Sequence, residues 1–180
     1  MPVPVPRKVI ALVGFMGCGK TTVGHMLAER LGWRFMDLDT RIVERTGSSI
    51  VDIFRRHGEP GFREIEAEVL DRVLGETAER GFSAVFALGG GTLTRPENLG
   101  RLRQFGATLV WLDCPIDDLL KRCAGVTDRP LFRDETSFRR LFEERLPLYS
   151  QADYRVDATS EPAQVVERIL TLARLTAVEA

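Results

Sequence analysis

Val9-Ile-Ala-Leu-Val-Gly14-Phe-Met-Gly-Cys-Gly-Lys20-Thr21 sets five apolar residues directly before a glycine loop, and a helical pattern follows, with Val23, Leu27 and Leu31 at four-residue steps up to Gly32. The unbroken apolar run reads as a strand buried on both faces, and the four-residue spacing as a helix stopped by glycine. The segment satisfies G-x-x-x-x-G-K-[ST] in full, between the strand and helix that the motif requires. Glycines let consecutive backbone N–H groups face one anion, and the helix N-terminus adds about half a positive charge. The phosphates of ATP are therefore expected on Gly17, Cys18, Gly19, Lys20, Thr21 and Thr22. Lys20 would reach the outer phosphates as a point charge, and the Thr21 hydroxyl would bind Mg²⁺.

Outward from this loop, short apolar runs alternate with helical stretches, the pattern of a parallel sheet with helices on both faces. Strands are expected at Val9–Val13, Arg34–Leu38, Ala84–Leu88, Thr108–Leu112 and Tyr154–Val156. Between them fall helices at Lys20–Leu31, Thr40–Arg45, Ile50–Arg56, Phe62–Arg80, Pro96–Gln104, Pro115–Cys123, Phe138–Leu146 and Pro162–Leu175. Gly125–Asp134 has no periodicity, and no internal repeat is apparent.

Composition agrees with one α/β domain: 180 residues, 44% hydrophobic and 28% charged, with 16 Gly and 9 Pro. A net charge of −1 and a pI near 6.2 leave no basic field for a nucleic acid or an anionic membrane, so small-molecule partners are expected. Alternating prolines make residues 1–7 a tail, unlike the apolar helix of a signal peptide. No apolar run approaches the ~18 residues of a membrane span. Cys18, Cys114 and Cys123 form no Cys-x-x-Cys pair, which supports neither a disulfide framework nor a zinc site and fits a reducing cytoplasm. Only Lys8, Lys20 and Lys121 among the 25 basic residues are lysine, so Lys20 stands out where a lone arginine does not.

Two further stretches lie at strand ends. Period-two alternation in Phe35-Met-Asp37-Leu-Asp39 puts both carboxylates on one side, and the carboxyl ends of parallel strands share the edge that carries the phosphate loop. One acid would orient Mg²⁺ through water while the other accepts from a substrate hydroxyl, or the pair would cap the next helix. Gly89-Gly90-Gly91, after the third strand, would let a ligand approach backbone N–H groups or would serve as a plain turn. No acid follows that strand, which makes Asp37 the expected metal partner.

With Gly58-Glu-Pro-Gly-Phe-Arg63-Glu-Ile-Glu66, Arg129-Pro-Leu131 and Arg145-Leu-Pro-Leu-Tyr149 added in the same order, nearly the whole chain resembles the shikimate kinase family, within the nucleoside-monophosphate-kinase-like group. The resemblance implies a three-layer α/β/α fold with a five-stranded parallel sheet in the order 2-3-1-4-5, a substrate-binding segment at about 40–70 and a lid at about 124–136. It implies a cytoplasmic, monomeric enzyme that transfers the γ-phosphoryl group of Mg·ATP to the 3-hydroxyl of shikimate, on the route to chorismate and the aromatic amino acids. Asp39 would hold the ring hydroxyls and take the proton, and Arg63 and Arg145 would hold the carboxylate through planar, two-pronged bonds. Glu66 would orient Arg63 from three residues on, and Gly89, Gly90 and Gly91 would complete the substrate site. Lid Arg129 would add charge to the transferring phosphoryl group, while Arg122 and Pro162 would cover the two faces of adenine. In the family's geometry Cys18 is partly exposed near a helix N-terminus, where it is either oxidisable or only a small tolerated residue. His25 and His57 receive no role; Phe62 and Phe105 read either as substrate aromatics or as core residues, and core packing is the expected use of most of the 10 Phe. A gluconate or nucleoside-monophosphate kinase would share the loop but not Arg63, Gly89–Gly91 and Arg145 together. A catalytically silent ATP-binding module would not need Lys20, Thr21, Asp37, Asp39 and Arg129 all at once.

Overall fold

The computed structural model describes residues 8–124 and 134–176, with side chains as far as 172. The expected tail at 1–7 and most of the expected lid, Arg129 included, lie outside the described residues.

Strand β1 (Val9–Val13) is buried at every position and pairs in parallel with β3 (Ala84–Ala87) on one side and β4 (Ala107–Asp113) on the other. β2 (Arg34–Asp37) adds to β3, and β5 (Tyr154–Asp157) to β4, which completes the order β2-β3-β1-β4-β5. The order fits composition: the unbroken apolar runs take the centre, where both faces are covered, and the strands with two charged residues each, Arg34 and Asp37 in β2 and Arg155 and Asp157 in β5, take the edges.

Helices α1 (Lys20–Leu31), α2 (Leu38–Thr46), α3 (Ile50–Arg80), α4 (Pro96–Gln104), α5 (Ile116–Cys123), α6 (Glu135–Tyr149) and α7 (Pro162–Thr176) connect and cover the strands. Val23, Leu27 and Ala28 of α1 face the sheet, and Gly32 ends the helix at φ 66°, a left-handed turn in which a side chain would be strained. Phe15, in the phosphate loop, presents its ring edgewise to Phe138 and Phe142 of α6, with centroids 5.0 and 5.3 Å apart. Arg30 pairs with Glu167 and ties α1 to α7. Among the described residues no helix is long and apolar enough to cross a membrane.

Several boundaries differ from the expectations. Leu38 leaves β2 and opens α2, because Asp37 accepts a hydrogen bond from the Thr40 amide and starts the helix there. The two helices expected at 50–56 and 62–80 are present but extend toward one another and meet at Gly58, which breaks the helix at a φ of 65° that only glycine adopts without strain. α6 begins early, on a capping box between Asp134 and Ser137, and runs through Pro147, whose missing N–H costs one bond in the last turn. A short 3-10 turn at Thr92–Thr94 follows the triple glycine. Phe62 packs on Phe54 in the core, as expected, but Phe105 lies at the end of α4 and is exposed.

Because Leu12 is fully buried one residue from the end of β1, Leu12→Ala should remove about 2–5 kcal/mol of stability, measured by urea unfolding.

Candidate active site

At the carboxyl edge of the sheet the chain leaves β1 through Gly14, Gly17 and Gly19, at φ 146°, 82° and 95°. A side chain at Gly14 would strike the Leu112 carbonyl of β4, and one at Gly17 the thiol of Cys123 on α5, so the loop presses against its neighbours. Helix α1 begins on Gly19 with no side-chain cap and no acid in its first turn, which leaves its N–H groups for an anion. Asp37, Ser49 and Asp134 fill that role for α2, α3 and α6. The Lys20 ammonium donates to the carbonyls of Gly14 and Phe15 at 2.7 and 3.0 Å, within the loop it would serve.

A cleft of about 280 Å³ brings together Gly17, Gly19, Lys20, Thr21, Thr22, Asp37, Asp39, Gly89, Gly90 and Arg122. The two readings of the acids divide between oxygens and residues. Asp37 Oδ1 caps α2, and its Oδ2 accepts from the Thr21 hydroxyl at 2.7 Å. Asp39 reaches the same cleft from the first turn of α2, so strand alternation is not what places it. Thr21 and Asp37 present adjacent oxygen donors of the hard kind that Mg²⁺ takes, with room left for phosphate and water. That donor set fits the ion.

Beyond the triple glycine sits a buried ionic cluster. Arg63 donates through Nη1 to Glu66 Oε2 at 2.8 Å, and Glu66 Oε1 accepts from the Thr92 hydroxyl at 2.8 Å. Glu66 is wholly buried, so its place is behind Arg63, holding the guanidinium. Gly91 is glycine because the Arg63 head group occupies the space of its side chain, and Arg145 Nη1 would lie 2.8 Å from a Cβ there. A Cβ on Gly89 would meet Glu66 Oε1 at 2.8 Å and Asp39 Oδ1 at 3.5 Å. Two of the three glycines thus make room for the cluster's own side chains, a packing reason separate from the expected ligand approach. Arg145 is buried, and its Nη1 has no hydrogen-bond partner among the described residues. Burial first, and the Arg63 cation next, pull the Arg145 pKa below its ordinary value. Tyr149 anchors this end of α6 by donating to the Gly90 carbonyl at 2.6 Å, and burial raises its pKa.

Cys18 and Pro162, expected at the nucleotide, do not line the cleft, whereas Arg122 does. Cys18 is 2% exposed, its side chain turned in beneath Gly14, which corrects the partly exposed reading. Cys114 and Cys123 are buried too, and burial raises the Cys114 thiol pKa. Arg122 bridges the Gly17 and Ala158 carbonyls at 3.5 and 3.4 Å. Pro162 opens α7 and does not line the cleft. His25 stacks on Phe35, with centroids 3.9 Å apart. Glu59, Thr92 and Tyr149 are contacts that sequence reading missed. Glu59 and Tyr149 lay inside quoted motifs, while nothing in the chain flags Thr92.

A phosphate loop on the central strand of a 2-3-1-4-5 sheet, facing acids and a paired guanidinium site, defines the class as a phosphate-loop kinase. Comparison narrows it. The family model described as shikimate kinase matches residues 16–174. A shikimate kinase of Persephonella marina is 42% identical over 163 residues, which are 89% of this chain and 96% of that protein. The solved shikimate kinase of Acinetobacter baumannii in complex with shikimate superposes with a TM-score of 0.87 at 36% identity, over 94% of each chain. That of Aquifex aeolicus superposes at 0.82 and 36%, over 96% of this chain and 99% of the other. The chain belongs to the shikimate kinase family.

Glu66→Ala should destabilise the protein by about 1.5–3 kcal/mol, the loss of a charged hydrogen bond to Arg63, which keeps only its longer contact with half-exposed Glu59; chemical denaturation reads the loss.

Proposed function

We propose that this chain transfers the γ-phosphoryl group of ATP to the 3-hydroxyl of shikimate, giving shikimate 3-phosphate and ADP. The observation that carries the reading is the convergence of Arg63 and Arg145 beside Gly91, with a buried Arg145 N–H that meets no acceptor among the described residues, next to a phosphate-binding cleft. Burying such a donor unpaired costs about 1–3 kcal/mol, which a carboxylate ligand would relieve. Family membership, and a relative solved with shikimate, support the choice of acid.

In this reading the loop amides from Gly17 to Thr22, with Lys20, hold the phosphates of ATP. Thr21 would hold Mg²⁺ and Asp37 would orient it through water; the ion would supply positive charge to the phosphates. Arg63 and Arg145 clamp the substrate carboxylate, with Glu66 fixing Arg63 from behind and Gly89–Gly91 forming the floor. The clamp fixes the ring, so Asp39 selects one hydroxyl, aligns it in line with the γ-phosphorus and accepts its proton. Arg122 and Pro162 flank the adenine. Arg129, on a lid at about 124–136, closes on the phosphates and excludes water, which would otherwise accept the phosphoryl group. The substrate-binding segment runs from about 40 to 70. The enzyme works as a single-domain monomer in the cytoplasm, with small-molecule substrates and neither nucleic-acid nor membrane partners, in chorismate and aromatic amino-acid biosynthesis.

ADP release from Mg·ATP, measured with no acceptor, shikimate, gluconate or nucleoside monophosphates, should depend on shikimate; turnover only with another acceptor overturns the reading. Asp39→Asn should lower kcat by about 10²–10⁴ while ATP affinity holds, as seen by steady-state kinetics and nucleotide titration. Arg145→Ala should raise the KM for shikimate about 10- to 100-fold, the loss of one charged hydrogen-bonding partner.

A further inference from the structure

Two acids meet Arg63, and they are held very differently. Glu66 is fully buried with both oxygens engaged, one by Arg63 and one by Thr92. Glu59 has a side chain 43% exposed and touches the arginines through Oε1 alone: Arg63 Nε at 3.4 Å, Arg63 Nη2 at 3.2 Å and Arg145 Nη2 at 3.6 Å. One oxygen spread over three nitrogens at these lengths is a loose contact.

Its position matters more than its strength. Nε and Nη2 form the edge on which a guanidinium binds a carboxylate through two parallel N–H bonds. Glu66 takes Nη1, and Glu59 lies across the Nε–Nη2 edge. It also spans to Arg145, the second arm of the clamp, while leaving Arg145 Nη1 without an acceptor among the described residues. Arg63 and Arg145 are balanced by Glu59 and Glu66, so an arriving carboxylate adds one unneutralised charge for as long as Glu59 remains.

The backbone lets Glu59 leave. It follows Gly58, where φ 65° and ψ −177° interrupt the helix, and precedes Pro60 at the start of the second helical segment. Its side chain is already half-exposed, so rotating it into solvent requires no change in the helical backbone.

We propose that Glu59 is a placeholder carboxylate: it occupies the Arg63–Arg145 clamp in the free enzyme and is displaced by the carboxylate of the substrate. The inference rests on the reading that this clamp binds that carboxylate. Glu59 then acts as a specificity-determining residue, because a ligand must displace it, and an acid that also engages Asp39 does so best. A clamp that is open about one tenth of the time weakens the apparent affinity about tenfold.

Calorimetric titration of the full-length protein tests this with shikimate and its neutral carboxamide, in the wild type, Glu59→Gln and Glu59→Asp. Gln removes the charge; Asp keeps it but is too short to bridge both arginines. Both variants should bind shikimate tighter, Gln by about tenfold, with carboxamide affinity unmoved. Unchanged or weaker shikimate binding by Glu59→Gln overturns the proposal, and weaker binding would make Glu59 a support for the clamp. A gain with Gln but none with Asp also overturns it, since charge at a distance would then suffice. If the wild type binds acid and carboxamide equally, the clamp itself is misread, an outcome separable from the others because it appears before any substitution is made.

Discussion

The cleft depends on one backbone constraint: the chain leaving β1 must turn through three left-handed glycines and enter α1 within six residues. No side chain tolerates those φ values cheaply, and none fits against the Leu112 carbonyl and the Cys123 thiol where Gly14 and Gly17 lie. The turn aims uncapped amides and the Lys20 ammonium at one point, and the parallel sheet then brings every other group to that point. β2 delivers Asp37 there, and β3 delivers the triple glycine, because all strands of a parallel sheet end their carboxyl termini on one edge.

Charge organises the other half of the site. Two guanidinium groups close to one another repel, and burial adds to the cost of each. The fold answers with one acid fixed in the core and one at its margin, and it opens space for the arginine heads by leaving out side chains at Gly91 and Gly89. Enclosing a cation pair with a donor that meets no acceptor among the described residues carries a cost that an anion relieves. Anion binding at the clamp and at the phosphate loop thus has different origins: fixed side-chain cations in one, aligned backbone dipoles in the other.

How far the chain reveals its own structure varied with distance along it. The loop, α1 and its Gly32 stop were legible because each rests on neighbours within about four residues. Asp37 and Asp39 were legible as a pair, but by alternation along a strand that ends one residue sooner than its pattern suggests, since Asp37 caps α2. Phe105 shows the opposite failure, an aromatic whose position at the end of α4 leaves it exposed. Cys18 was misjudged because its burial depends on Gly14 and on the Lys20 ammonium that folds over it.

By itself the sequence determined the strand and helix sites, the phosphate-binding loop and, through a chain-long resemblance, the family; these are set by local backbone preference and by the period of apolar residues. Tertiary structure alone decided that Glu66 is wholly buried and bonds Thr92, that Gly91 seats an arginine, and that Glu59 lies across both arms of the clamp. Those contacts join residues up to 86 positions apart, as between Glu59 and Arg145, and their lengths depend on how α3, α6 and the end of β3 pack together. No local pattern records that packing, because burial and charge balance are properties of the assembled fold.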